Sequence, residues 1–255
     1  MADTALLCDV GNTRLKWGVL DNGRLTRTGS QRLDDLKRGG FSALTMKLPR
    51  DLDHALVSNV AGAGFAARLS SVIGIHCKCE VHFARSERAA YGIQNAYRQP
   101  RRLGVDRWVA MIGAHAETRG ALCVVDAGTA LTIDALDRNG RHLGGQIIPG
   151  LELMGRALGS ETSDIGVPAK STRDPEPGMG LFATGTRRGV RAGALNAVCG
   201  AIERAAKIMR EAGLRPRIVL TGGDASRILK QLDGKILHRP HLVLQGLAFM
   251  LQRGS

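Results

Sequence analysis

The chain has 255 residues, 44% of them apolar and 23% charged, and 36 Lys and Arg against 23 Asp and Glu leave a formal net charge of +13. That length builds one large domain or two small ones around a buried core, and no window approaches the roughly 18 consecutive apolar residues of a membrane-spanning helix. The charge points to nucleic acid or to anionic substrates, but the basic residues are spread along the chain, and the two Trp, two Tyr and five Phe do not interleave with them as single-strand binders require.

Taken in order, residues 5–10, 14–20 and 24–30 read as three strands joined by short turns, with Asp21-Asn22-Gly23 supplying hairpin chemistry. A strand is expected over 52–60 and a helix over 62–73, where Phe65, Leu69 and Val72 share one face. Val81-His82-Phe83 is a further short strand, and 85–103 shows no period and reads as a loop. A helix begins at Gly104, with Trp108, Met111, Ile112 and His115 on one stripe, Trp108 being read as core.

The pattern then restarts. Strands are expected near 121–126, 130–136 and 141–148, a short helix over 151–158, and a long Gly-, Pro- and Ser-rich loop over 159–180. A long helix follows over 186–212, with Leu195, Val198, Cys199, Ile202, Ala206 and Met209 at helical spacing. A strand at 217–221, a helix ending near Leu232, a strand at 236–238 and an apolar helix over 241–252 complete the chain. Strand meander followed by helix–strand alternation, performed twice, defines an α/β class. The five cysteines show no zinc-type pairing, and Cys8 and Cys123 occupy equivalent points of the two repeats, as small buried residues would. Cys77-Lys78-Cys79 is a weak candidate for a metal or redox pair. A reducing cytoplasm is the expected compartment, and the start of the chain, with its acidic Asp3, is unlike a signal peptide.

One short element occurs twice: Asp9-Val10-Gly11-Asn12-Thr13 and Asp126-Ala127-Gly128-Thr129-Ala130, each after an apolar run and each 14 residues before the glycine of a turn, Gly23 or Gly140. Glycine lets a turn bring its backbone N–H groups close to a ligand. Asn12 and Thr13 can donate to phosphate oxygens, and Lys16 adds positive charge. Asp9, at a strand end, suits Mg²⁺ held through water. A plain Asx-type hairpin turn explains one copy equally well, but repetition favours a phosphate loop in each half. Neither a Walker-type loop nor a dinucleotide-binding glycine fingerprint is present.

Gly104-Val105-Asp106-Arg107-Trp108 opens a helix, so Asp106 and Arg107 fall in its first turn. Asp is an ordinary helix-start residue, whereas Arg there opposes the dipole. A substrate anion on Arg107 and the free N–H groups would account for it, with Asp106 beside a hydroxyl. Gly144-Gly145-Gln146-Ile147-Ile148-Pro149-Gly150 and Thr221-Gly222-Gly223-Asp224 are weak signals, more often plain turns. Thr186 reads as an N-cap of the long helix or a substrate contact.

Together DVGNT at 9–13, Tyr97 before GVDRW at 104–108, DAGTA at 126–130, GGQIIPG at 144–150 and TGG at 221–223 resemble, in order, the type III pantothenate kinases of the acetate kinase/sugar kinase/Hsp70/actin superfamily. The resemblance implies duplicated ribonuclease H-like (actin-like ATPase) domains, 1–118 and 119–255, around a central interdomain cleft, with the last helix packing back on the first domain. It implies a transferase that uses ATP to phosphorylate pantothenate in coenzyme A biosynthesis, as a cytoplasmic homodimer whose interface helps form the pantothenate pocket. Asp9, Val10, Gly11, Asn12, Thr13, Arg14, Leu15, Lys16 and Thr129 would contact ATP, and Asp106 would be the general base. Tyr97, Gly104, Val105, Asp106, Arg107 and Thr186 would contact pantothenate. Mg²⁺ would accompany ATP, and Asp126 matches a position associated with a monovalent cation, K⁺ or NH₄⁺. The chain departs from the family at Gly185, where an Asn usually precedes the Thr. A transcription accessory protein on the same fold is the alternative, kept open by the charge, but no helix-turn-helix is evident; a kinase of another small hydroxylated substrate is a second, disfavoured by the Tyr97 and GVDRW spacing.

Overall fold

Residues 4–161 and 182–253 are described in the computed structural model, so the loop expected over 159–180 lies outside the described residues from 162 onward. The apolar run Thr4–Val10 forms β1, and Arg14–Asp21 (β2) and Arg24–Arg32 (β3) continue it as an antiparallel meander. Asn22 and Gly23 take φ of 48° and 75°, the two left-handed residues of a type I′ hairpin turn. Two short helices that the apolar pattern did not announce follow, α1 (Leu33–Gly39) and α2 (Ser42–Thr45). The first buries Leu33 and Leu36 and carries Asp34 and Asp35 at its start and Lys37 and Arg38 at its end, the charge order that complements a helix dipole.

Strand β4 (His54–Asn59), helix α3 (Ala63–Cys77) and strand β5 (Glu80–Phe83) complete the first layer pair. α3 runs past Ile73 to Cys77 and stops at Lys78 in the left-handed conformation. The segment expected as a loop at 85–103 contains a minimal hairpin of β6 (Ala89–Ala90) and β7 (Ile93–Gln94) and a 3₁₀ turn at Pro100–Arg102, before α4 (Val105–Glu117). The sheet order is β3-β2-β1-β4-β5, with β1, β4 and β5 parallel.

The second unit repeats this plan. Strands β8 (Leu122–Ala127), β9 (Ala130–Leu136) and β10 (His142–Pro149) form the meander. Helices α5 (Leu151–Glu161) and α6 (Thr186–Glu211), strand β11 (Arg217–Thr221), helix α7 (Ala225–Leu229) and strand β12 (Ile236–His238) follow. Its order, β10-β9-β8-β11-β12, matches the first sheet strand for strand. Side chains alternate along each strand. Leu6, Cys8, Val10, Leu15, Trp17 and Val19 therefore enter one core with α1–α3, while Cys123, Val125, Leu131 and Ile133 enter the other with α6 and α7. Cys8 and Cys123 are both fully buried, and burial pushes the Cys123 thiol up to about 12 and Cys8 higher still. Both are packing residues, unreactive near neutral pH.

The last helix, α8 (Leu242–Arg253), belongs with the first unit: residues 1–119 and 241–255 make one compact body and 120–240 the other. α8 lies against α4 with backbones in contact. A Cβ on Gly246 would collide with the Val109 carbonyl, and one on Gly113 would sit 2.7 Å from Leu242 O. Small residues at this crossing are what allow the close approach.

Candidate active site

The first loop grows out of the β1–β2 register. Val10 pairs with Leu15, and the Gly11 N–H donates to Arg14 O at 3.0 Å, leaving Asn12 and Thr13 at the tip. The Leu33 N–H donates to Thr13 O at 2.9 Å, which ties the tip to the start of α1. Asp9, only 8% exposed, lies opposite Lys16 on β2 and beside Ser58 on β4. Residues paired in register share a sheet face, so Asp9, Lys16 and Ser58 lie with Gly18 on the face where Leu244 of α8 packs. Arg14 and Arg32, directly opposed across β2 and β3, share that face, and Arg14 Nη2 donates to Ser30 Oγ at 2.7 Å.

Like charges directly opposed across a sheet repel, and the Arg32–Asp34 pair at 3.5 Å offsets only part of this. Three cations beside a tight turn make this end of the sheet suited to an anion. His241, at the start of α8, is held below the usual histidine range by burial and then by Lys16, so it is neutral at pH 7 and adds hydrogen-bonding capacity rather than charge. Ser58 is fully buried and its Oγ has no hydrogen-bond partner among the described residues. The only hint of Ser58 in the sequence is a hydroxyl ending the apolar run Ala55-Leu56-Val57.

The second loop is one residue shorter. Ala127 pairs with Leu131, and the Gly128 N–H donates to Ala130 O at 3.0 Å, so Thr129 alone forms the exposed tip. Asp126 is half-buried at the end of β8. Two motifs that looked like plain turns converge on this loop. The Gly150 N–H donates to Thr129 O at 3.0 Å, and a Cβ on Gly150 would collide with Gly128 O and lie 2.7 Å from Thr129 O. Gly222 has φ +101°, a Cβ on it would collide with the Ala127 carbonyl, and the adjacent Asp224 N–H donates to Ala127 O at 3.0 Å. The glycines that close GGQIIPG and open TGG are thus packing requirements of the DAGTA loop.

At the start of α4, Gly104 is the N-cap residue and its carbonyl accepts the Trp108 N–H at 3.0 Å. Asp106 turns back over it: its Oδ1 accepts the Arg107 N–H at 2.8 Å and would lie 2.7 Å from a Cβ on Gly104. This corrects one expectation, because the Arg107 N–H is taken by Asp106 rather than offered to an anion. Val105 is half-buried in the same turn, and Trp108 is fully buried in the core. Arg107 is 6% exposed, and its Nη1 donates to the Tyr97 hydroxyl at 3.0 Å. The guanidinium carbon stands 5.9 Å from the Tyr97 ring centroid, the outer limit of a cation–π contact, so the hydrogen bond sets the pairing. Tyr97 and Arg107 are therefore brought together. Thr186 is exposed at the first helical position of α6, where Gly185 in extended conformation is the N-cap and no side chain caps the helix. The expected Thr186 cap is therefore not formed.

Among the described residues no three His, Cys, Asp or Glu side chains cluster to hold a metal, Cys77 and Cys79 included. Asp9 and Asp126 each lie one residue before the end of a strand, β1 and β8. A single carboxylate such as Asp9 fits Mg²⁺, which keeps several waters and takes the rest of its ligands from substrate phosphates.

Two copies of one five-stranded topology, each with a carboxylate and tight hairpin at the end of its first strand, define the duplicated ribonuclease H-like fold of sugar kinases and actin-like ATPases. A 2-dehydro-3-deoxygalactonokinase-type protein from Sinorhizobium meliloti has this fold with a TM-score of 0.59, at 12% identity over 98% of this chain and 96% of that one. A Baf family protein from Campylobacter jejuni matches with a TM-score of 0.61, at 20% identity over 98% of each chain. The model of the type III pantothenate kinases matches residues 5–208. The type III pantothenate kinase of Nitrosococcus oceani is 36% identical over 254 residues, covering 95% of this chain and 92% of that protein. The chain belongs to the type III pantothenate kinase family.

Proposed function

We propose that the chain catalyses ATP-dependent phosphorylation of pantothenate to 4′-phosphopantothenate, the first committed phosphorylation on the way to coenzyme A. Beside family membership, the observation that carries this reading is the start of α4, where Asp106 is ordered by its own helix turn and Arg107 is held against Tyr97. Phosphoryl transfer demands positioning and charge neutralisation more than covalent chemistry. Residues 9–16 and Thr129 hold the nucleotide phosphates, the backbone turns and the cations Arg14 and Lys16 countering their charge. Asp106 orients and deprotonates the primary hydroxyl of pantothenate. Tyr97, Gly104, Val105, Arg107 and Thr186 place the rest of that substrate.

Mg²⁺ bound with ATP supplies charge neutralisation on the phosphate oxygens, and Asp9 is the residue that would hold it through water. Asp126 would serve a monovalent cation, K⁺ or NH₄⁺. A homodimer belongs to the same reading. No described helix is long and apolar enough to cross a membrane; the cytoplasm is the compartment proposed with this reading.

A coupled ATPase assay with pantothenate added or withheld, run in K⁺ and in Na⁺, tests the reading. Pantothenate-stimulated turnover is expected, faster in K⁺; no stimulation in either salt would overturn the assignment. Asp9→Ala is expected to lose Mg²⁺-dependent ATP use, and wild-type activity across a Mg²⁺ titration would remove Asp9 from that role.

A further inference from the structure

The segment between β5 and α4 has little regular structure, yet it carries Tyr97. Its β6–β7 hairpin is two residues on each side, and from Ala96 to the 3₁₀ turn at Pro100 there is no ladder to fix the backbone. Such a stretch samples many conformations unless side chains tie it down. Asn95, 7% exposed, does so. Its Oδ1 accepts the Tyr97 N–H at 3.0 Å, and its Nδ2 donates to Glu87 O at 3.0 Å and to Pro100 O at 3.2 Å. Its own N–H donates to Arg88 O at 2.9 Å. One buried amide thus spends both donors and its acceptor on the two ends of the segment and on the residue whose phenol reaches Arg107. Ser86 closes the base of the same loop, its Oγ donating to Leu103 O at 2.9 Å just before Gly104.

We propose that Asn95 is a positioning residue for pantothenate: it clamps residues 87–100 so that Tyr97 meets Arg107 before substrate arrives. This rests on the pantothenate kinase reading above. The side-chain chemistry is specific. Leucine would fill the space but leave one part-buried N–H and two carbonyls without the amide as partner, aspartate would retain the acceptor for Tyr97 and lose both donors, and glutamine is a methylene too long. The role is remote from the nucleotide loops in sequence and in hydrogen bonding, so it predicts an effect confined to one substrate.

The test is steady-state kinetics on the full chain for wild type, Asn95→Ala, Asn95→Asp, Tyr97→Ala and the Asn95→Ala/Tyr97→Ala double variant, with KM measured separately for pantothenate and ATP. Asn95→Ala is expected to raise the pantothenate KM about 10-fold or more, the scale on which misplaced positioning groups act, with the ATP KM unchanged. Asn95→Asp should fall between it and wild type, and it carries the test alone if the alanine variant does not fold. In the double variant, removing Asn95 after Tyr97 should add less than it does alone. Pantothenate and ATP KM rising together, fully multiplicative effects, or a pantothenate KM within about twofold of wild type would overturn the role of Asn95. A wild-type chain with no pantothenate-dependent turnover would overturn the functional reading itself, a result distinct from an active wild type with indifferent variants.

Discussion

Asp106→Asn is expected to lower kcat by about 10²–10⁴, the usual contribution of a general acid–base group, with KM for ATP near wild type. The size and selectivity of this effect follow from geometry. Asp106 Oδ1 accepts the Arg107 N–H at 2.8 Å across the first turn of α4, and an asparagine carbonyl oxygen can accept the same bond. The helix start and the Tyr97–Arg107 pair are therefore preserved, and the loss isolates basicity from structure. Single-turnover rates with saturating pantothenate give the number. Turnover within a few-fold of wild type would assign the proton to another acceptor and leave Asp106 as a helix-start residue.

Gly222→Val is the second large effect, and it acts through the backbone. Gly222 has φ +101°, a conformation that side chains rarely adopt, and its Cβ would collide with the Ala127 carbonyl at the base of the second loop. Strain from the disallowed φ is worth about 1–3 kcal/mol, and overpacking about as much again. The variant is expected to lose about 2–6 kcal/mol, a large fraction of a typical stability, with the damage centred on residues 126–130. Denaturant unfolding measures the loss, and the ATP KM of any folded fraction should rise. A midpoint shift worth less than about 1 kcal/mol would mean that the loop base can yield, and that the glycine is not demanded by packing.

These two sites were not equally legible beforehand. Asp106 and Arg107 stand out in sequence because an arginine at a helix start works against the dipole, although the Arg107 N–H proved to be taken by Asp106. Gly222 and Gly150 looked like ordinary turn residues. Their meaning lies in contacts with residues 127–129, which are 20 or more positions away in the chain, and no local pattern reports such a contact. Asn95 and Ser58 were silent for the same reason: a buried polar side chain is identified by its partners or by their lack, and these come from other segments. α1 and α2 escaped because they are too short for a helical period to accumulate, α1 having only Leu33 and Leu36 to bury.

What the amino-acid order determined by itself was the local and the repeated. Apolar alternation, Asn-Gly turns and the doubled Asp-x-Gly element specify two strand meanders with matching loops, because strand period, turn conformation and apolar burial are decided within a few residues. Tertiary structure alone decided that the second loop is one residue shorter at its tip and that distant glycines pack it. It also decided that Asn95, Tyr97 and Arg107 form one hydrogen-bonded line. Register, close backbone approach and buried polar partnership are relations between segments, and a relation of that kind has no signature in either segment taken alone.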